Sequence, residues 1–388
     1  MATDYDLLVI GGGIHGAACA QAASARGYRV LVLEQYEKPG MVTSCKSSKL
    51  IHGGLRYLET GQIKLVRECL QERHYLLENA PHLVKLIPFY IPVYKHTKRS
   101  SLAIRIGLLI YSLFSKKTFK SIPRHQWSDM DGLNTKDLKT LFQYYDAQTD
   151  DQLLTEAVMA SAQRMGTVLY ANTIFDSADC NNNQCTVCFT QNAISKSVTT
   201  KLIINTTGPW VNQILNKIKP EQSVIDIELV LGTHIIVNGE LKKGIYYLEA
   251  PQDKRAVFAM PWKNKILIGT TESIFNAPPE TTAPVDADID YLLTVYNAYF
   301  KQHKSTADIV DSFAGLRVLP KTPESAFTRS RDTIIHHNSE ENPCVFTLYG
   351  GKLTAHRATA DHLMKIIQPF LPAPTKNMDT RKISLLEK

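Results

Sequence analysis

Nowhere do the 388 residues offer an apolar run of the roughly 18 residues that a membrane-crossing helix needs, so the chain is expected to be soluble or to lie on a membrane without crossing it. There is no Lys/Arg block, zinc-ligand set or aromatic–basic motif, and nucleic acid is not expected as a partner. Internal repeats and low-complexity tracts are also absent. Cysteine is sparse. Seven residues, an odd number without a paired framework, imply a reducing compartment. Cys185 and Cys188 form a C-x-x-C with Cys180 nearby, yet positions i and i+3 of a strand face opposite sides, and no second pair completes a zinc site. These cysteines read as structural, and no metal is expected. The first six residues lack a basic n-region, so no cleaved leader is expected.

What is present is an ordered globular composition, 44% hydrophobic and 21% charged. At ~150 residues per domain, two structural domains are expected. The net charge of +7 is mild and suits an anionic ligand or an anionic membrane surface.

The informative stretch is Asp6 to Glu34. Leu7 to Ile10 is a short apolar run typical of a buried parallel strand. Gly11, Gly13 and Gly16 follow at G-x-G-x-x-G spacing, then an alanine-rich helix and a second apolar run, Val30 to Leu33, ending in Glu34. The glycines permit a tight turn, a close approach to a pyrophosphate and tight helix–strand packing, while the terminal carboxylate accepts from a ribose hydroxyl. Together they point to an adenine dinucleotide. No second G-x-G-x-x-G argues for a separate nicotinamide domain, and no C-x-x-x-x-C argues for a disulfide-reducing flavoenzyme.

Residues 43–57, dense in hydroxyls and lysines, read as a second cradle for phosphate and ring edges, or as a solvated loop. Helical periodicity covers 62–79, and Phe89 to Val93 reads as an edge strand, given Pro88 before it and Pro92 within it. Residues 101–115 form an amphipathic helix flanked by Arg99, Arg105, Lys116, Lys117, Lys120 and Arg124. Its apolar residues suit either an anionic membrane surface or the core. Helix 150–164, a strand into Thr207-Gly208-Pro209-Trp210, a strand-rich region from 225 to 271, helix 287–303, strands at 309–319 and 345–348, and a helix from Lys352 to Ile367 complete the chain. A discontinuous α/β (α+β mixed) architecture follows. Residues 1–80, 145–222 and 308–388 build a Rossmann-like cofactor domain, and 81–144 and 223–307 an antiparallel-sheet substrate cap.

Gly11-Gly-Gly-Ile-His-Gly16, Ser47-Ser-Lys-Leu-Ile-His-Gly-Gly-Leu-Arg-Tyr-Leu-Glu59, Thr207-Gly-Pro-Trp210, Gly269-Thr-Thr271, Gly315-Leu-Arg317 and Gly350-Gly-Lys-Leu-Thr354, in that order, strongly resemble the FAD-dependent glycerol-3-phosphate dehydrogenases of the D-amino-acid-oxidase-like flavoprotein fold. The resemblance implies FAD along Gly11, Gly13, Gly16 and Glu34. Ser44, Ser47, Ser48, Lys49 and Leu50 would surround its pyrophosphate and ring, and Thr207, Gly208, Trp210, Gly351, Lys352, Leu353 and Thr354 would enclose it. It also implies sn-glycerol 3-phosphate held by Arg56, Tyr57, Arg317, Arg331 and Lys352, its C2 hydride passing to flavin N5. The C2 hydroxyl proton needs an acceptor, and His234 is the candidate because a neutral imidazole can take it; a structural histidine in a strand is the alternative, with Arg317 steadying the alkoxide in place of a strong base. His52 is a weaker candidate for positioning.

The implied acceptor is a membrane quinone, with the protein cytoplasmic and peripheral on the inner face of the membrane. An oxidase that reduces O₂ to peroxide and a non-catalytic FAD-binding regulator are the alternatives. Three residues depart from the family pattern: Val318 for proline, Glu272 for aspartate and His356 for tyrosine. The resembling enzymes continue into a C-terminal helical domain, and this sequence stops at Lys388.

Overall fold

The computed structural model describes residues 3–59, 61–181, 184–321 and 333–386. In chain order the elements are β1 (Tyr5–Ile10), α1 (Ile14–Ser24), β2 (Val30–Leu33), β3 (Leu50–Ile51), α2 (Ile63–Asn79), β4 (Lys85–Tyr94), α3 (Ser101–Ser115), β5 (Lys120–Ser121) and β6 (Leu138–Gln148). Next come α4 (Asp151–Arg164), β7 (Val168–Tyr170), β8 (Thr173–Asn181), β9 (Gln184–Gln191), β10 (Ile194–Asn205), α5 (Val211–Leu215), β11 (Ile218–Lys219) and β12 (Ile227–Val237). β13 (Ile245–Glu249), β14 (Ala256–Trp262), β15 (Lys265–Gly269), β16 (Ser273–Phe275), α6 (Asp286–Tyr299), β17 (Ile309–Pro320), β18 (Ile334–His337), β19 (Val345–Tyr349) and α7 (His356–Ile367) follow.

The first sheet runs β11-β8-β9-β10-β1-β2-β7, with β19 joined to β10 and β18 to β19. β1 is parallel to both β2 and β10, so Leu7 to Ile10 are covered on both faces and buried. α1 packs against α4 and α7 on one face of this sheet, where alanines let the helices come close. Thr200 pairs with Tyr5 of β1 on one edge and with Cys185 of β9 on the other. β19 takes up that second edge from Ile203 onward, so β9 and β19 meet end to end along β10.

The second sheet runs β16-β12-β15-β14-β13-β4-β6-β3, with β17 on β12 and β5 on β6. α6 covers one face, while α2 and α3 cover the other. β17, grouped by sequence with the cofactor segments, pairs along its length with β12, so the second sheet carries Arg317.

Three local expectations change. β4 is an interior strand between β13 and β6. Only Phe89 and Tyr90 pair with β13, so Pro88 and Pro92 fall outside that register and remove no bond from it. The last helix begins at His356 rather than Lys352, because Gly350 and Gly351 hold φ of 72° and 113° and a turn follows them. Cys180 and Cys185, cross-strand neighbours in the β8–β9 hairpin, form a disulfide, so a pairing exists that spacing did not reveal. Cys188 faces the other side of β9, as alternation requires.

Candidate functional site

Steric contacts fix the turn after β1. Gly11 has φ +96°, and a Cβ on Gly16 would lie 1.9 Å from the Gly11 carbonyl oxygen. Only glycine lets α1 sit this close to the strand. Ser44 Oγ accepts from Ile14 N at 2.9 Å in the first turn of α1. At the end of β2 the buried Glu34 carboxylate accepts from Gly12 N at 2.6 Å and Tyr36 N at 2.9 Å. Burial raises its pKa, and these N–H donors oppose the rise.

A cavity of about 520 Å³ is lined by Gly11, Gly13, Glu34, Ser44, Ser47, Ser48, Leu50, His52, Arg317 and Lys352. Thr207, Gly208 and Trp210 line one side, and Gly351, Leu353 and Thr354 another. Thr207 Oγ1 donates to Asn205 Oδ1 at 2.7 Å, and Trp210 Nε1 donates to Glu280. Thr354 Oγ1 accepts from His52 N at 3.2 Å, tying the two predicted cofactor segments together. Gly16 does not line the cavity, and its role is the packing of α1.

His15, inside the glycine motif but given no role by sequence, lines this cavity and stands against Gly351. A Cβ on Gly351 would lie 2.0 Å from His15 Nε2. Burial, with His356 nearby, lowers the His15 pKa to about 4. His356 is likewise lowered to about 4 by burial, and its Nδ1–H donates to the Leu353 carbonyl at 2.7 Å. Two neutral imidazoles therefore back the 350–354 turn. Their signal in sequence is faint, since a lone histidine on a small-residue helix does not reveal what it faces.

The residues fit an adenine dinucleotide. The glycine cradle admits no Cβ at Gly11 or Gly16, a helix start points at it, and a carboxylate closes the second strand. The buried His15 Nδ1 has no hydrogen-bond partner among the described residues, as suits an atom in a wall that a bound group completes.

Lys352 Nζ lies 4.3 Å from the Tyr57 ring centroid, and the Arg56 guanidinium 5.8 Å from the same ring. Tyr57, Arg317 and Lys352 line the cavity, whereas Arg56 does not. Arg317 Nη1 donates to Glu272 Oε1 at 2.7 Å, an ion pair that orients the guanidinium. Glu272, noted above as a departure, is thereby its anchor. Arg331 lies outside the described residues.

His234, 1% exposed, stacks on Phe313 with ring centroids 4.8 Å apart, and its Nε2 lies 2.9 Å from Ser48 Oγ. Burial, then the Arg317 and Lys49 charges, holds its pKa well below the usual imidazole range, so the ring is neutral at physiological pH. Lys49 departs from expectation. Its Nζ turns away from the cavity to Asp151 Oδ1 and the Cys45 carbonyl, both at 2.6 Å, because the buried Asp151 at the start of α4 needs a counter-charge. Ser47 Oγ donates to the same carboxylate at 2.6 Å, and Lys46 lines the cavity instead.

α3 turns its apolar stripe outward. Leu102, Ile106, Leu109 and Leu113 are 67%, 50%, 53% and 78% exposed, while Leu108 and Tyr111 face inward. Arg105, Lys116, Lys117, Lys120 and Arg124 are exposed around it. Arg99 is not part of that rim, being paired with Glu59 and with Glu249 at 3.0 Å. No helix among the described residues is long and apolar enough to cross a membrane.

Residues 6–363 match the DAO family, the FAD dependent oxidoreductases. The chain is 36% identical over 384 residues to the aerobic glycerol-3-phosphate dehydrogenase of Escherichia coli K12, spanning 96% of this chain and 75% of that protein. To the D-erythritol 1-phosphate dehydrogenase of Brucella abortus it is 34% identical over 379 residues, spanning 95% and 74%. The crystal structure of the Bacillus halodurans glycerol-3-phosphate dehydrogenase complexed with FAD superposes with a TM-score of 0.77 at 25% identity, covering 98% of this chain and 67% of that one.

Proposed function

Since the chain belongs to the FAD-dependent glycerol-3-phosphate dehydrogenases, within the FAD dependent oxidoreductases, we propose that it oxidises sn-glycerol 3-phosphate at C2 to dihydroxyacetone phosphate and passes the electrons to a membrane quinone. FAD, when bound along the glycine turn, supplies the two-electron acceptor. The observation that supports the substrate assignment is that Lys352, Tyr57 and Arg317 line the same cavity as the dinucleotide turn, with the Lys352 ammonium over the Tyr57 ring. Two cations lining one cavity suit a phosphate dianion on a short polyol. His234 is the acceptor for the C2 hydroxyl proton. Burial and the neighbouring cations make it a weak base, and an incoming dianion favours its protonated form. Arg317, held by Glu272, stabilises the alkoxide that develops as that proton leaves.

The outward apolar stripe of α3 with its lysines and arginines supports docking on an anionic lipid surface, where a quinone is reached. The test is steady-state turnover of purified holoenzyme with a water-soluble quinone analogue against peroxide formation in air. Quinone reduction should exceed peroxide release. Peroxide as the main product would favour the oxidase reading, and no turnover with either acceptor would leave an FAD-binding regulator. Faster turnover of D-erythritol 1-phosphate than of the three-carbon ester would overturn the substrate assignment.

A further inference from the structure

Beside Thr200 to Ile203 of β10, three sulfurs meet where two strands abut. Cys185, the second residue of β9, lies opposite Thr200, and Cys344 immediately precedes β19, its carbonyl accepting from Ile203 N at 2.8 Å. Because β9 and β19 share one edge of β10, their adjoining ends bring Cys344 to the Cys180–Cys185 pair. All three Sγ atoms lie within 4.8 Å of one another. We propose that Cys180, Cys185 and Cys344 form a thiol–disulfide exchange site in which the Cys180–Cys185 bond passes to Cys344.

The step is redox-neutral. The Cys344 thiolate attacks Cys185 Sγ, the Cys185–Cys344 bond forms, and the Cys180–Cys185 bond breaks. Cys180 leaves as a thiolate and takes the proton that Cys344 gave up, so no external oxidant or reductant is consumed. Asn338 Nδ2 donates to Cys344 Sγ at 3.4 Å and steadies the attacking anion, while burial pushes this thiol up and makes the exchange slow. Cys344 is half-buried and lines a second cavity, of about 380 Å³, with Lys201, Leu202, Asn342 and Phe370, whereas Cys185 is fully buried. An incoming small thiol therefore meets Cys344 first.

The two linkages differ in reach. Cys180–Cys185 ties a hairpin to itself, a separation of 5 residues. Cys185–Cys344 ties that hairpin to β19, the strand that runs into Gly350 and the cofactor turn. A pair that exchanges, rather than a permanent staple, also agrees with an otherwise thiol-bearing chain.

Trypsin separates the linkages, because residues 165–196 carry Cys180, Cys185 and Cys188 on one peptide while 332–352 carry Cys344 on another. Full-length holoenzyme carrying Cys188→Ser is equilibrated in glutathione redox buffer, alkylated, digested and analysed by mass spectrometry. The expected result is the 165–196 peptide covalently joined to 332–352, alongside the internally bridged peptide. In Cys180→Ser the joined peptide should be the main disulfide, and in Cys344→Ser it should vanish. An internally bridged peptide alone, or no disulfide among the three cysteines in oxidising buffer, would overturn the proposal. So would the absence of the joined peptide from a Cys180→Ser protein that keeps its circular dichroism spectrum.

Discussion

Tyr111 Oη accepts a hydrogen bond from Gly53 N at 2.9 Å and donates to Asp146 Oδ2 at 2.5 Å, so the inner face of α3 is fastened to the segment that leads into Arg56 and Tyr57. Asp146 in turn pairs with Arg73 at 2.5 Å. A Cβ on Gly53 would lie 2.6 Å from Tyr111 Oη, so backbone and hydroxyl are matched closely. Tyr111→Phe leaves the buried Gly53 N–H without its acceptor and should cost about 1–3 kcal/mol in urea unfolding. It should raise KM for the phosphate ester more than it lowers kcat, because the loop bearing Tyr57 loosens. Unchanged stability and KM would show that the bond carries no positional load.

Arg317→Ala should lower kcat/KM by about 10²–10³-fold, the usual loss of a charged donor aimed at developing negative charge. Flavin content should stay at wild-type level, as the side chain pairs with Glu272 rather than with any residue of the glycine turn. Glu272→Gln should give a smaller loss, since the guanidinium keeps its charge and loses only an ionic anchor. Wild-type turnover in Arg317→Ala would remove its assigned role.

Gly351→Ala forces a left-handed residue and drives a methyl toward His15. At ~2–3 kcal/mol of strain and overpacking, FAD affinity should fall on the order of 30-fold or more. Flavin fluorescence titration of the apoprotein reads this directly, and equal affinity would mean that the turn adapts without touching the ring.

The outward stripe of α3 predicts a surface phenotype. Ile106→Glu with Leu109→Glu should abolish sedimentation with anionic vesicles and leave thermal stability nearly unchanged, because both side chains are at least half exposed. Loss of folding would place the helix in the core instead.

His234 and His356 are buried with folded-state pKa values below the unfolded value, so each contributes stability that is complete above about pH 6.5. As pH falls, the unfolded chain takes up protons that the folded chain refuses, and stability is lost until the folded ring titrates, about 4 for His356. Buried Glu34, Glu72 and Asp151, whose pKa values are raised by burial, oppose the trend equally in a variant that keeps them. His356→Gln should therefore flatten the acid slope by up to about 1.4 kcal/mol per pH unit between those limits. An identical slope in the two proteins would contradict the burial argument.

The cofactor end was legible because backbone demands write themselves into residue type. Gly11 and Gly16 must be glycine, Glu34 must follow a strand, and Leu7 to Ile10 and β2 are apolar and buried. The cationic end was legible mainly through resemblance, as spacing alone does not say which lysine turns inward. Lys49 illustrates this. It lies within a run of cradle residues, yet Asp151, about a hundred positions away, captures it. The orientation of α3 was open for a similar reason, since its apolar stripe fits a core as well as a surface until neighbouring elements are placed. Cys180, Cys185 and Cys344 meet only because β9 and β19 share an edge of β10, a fact of topology rather than of local sequence.

If one cavity unites a flavin with a three-carbon phosphate ester, the ester must reduce the ring. Anaerobic mixing of the yellow holoenzyme with sn-glycerol 3-phosphate, followed at the oxidised-flavin band at about 450 nm, reads this step. The band should bleach on mixing, with one dihydroxyacetone phosphate formed per flavin reduced. A band that persists at saturating ester, in protein carrying a full complement of FAD, would contradict the account.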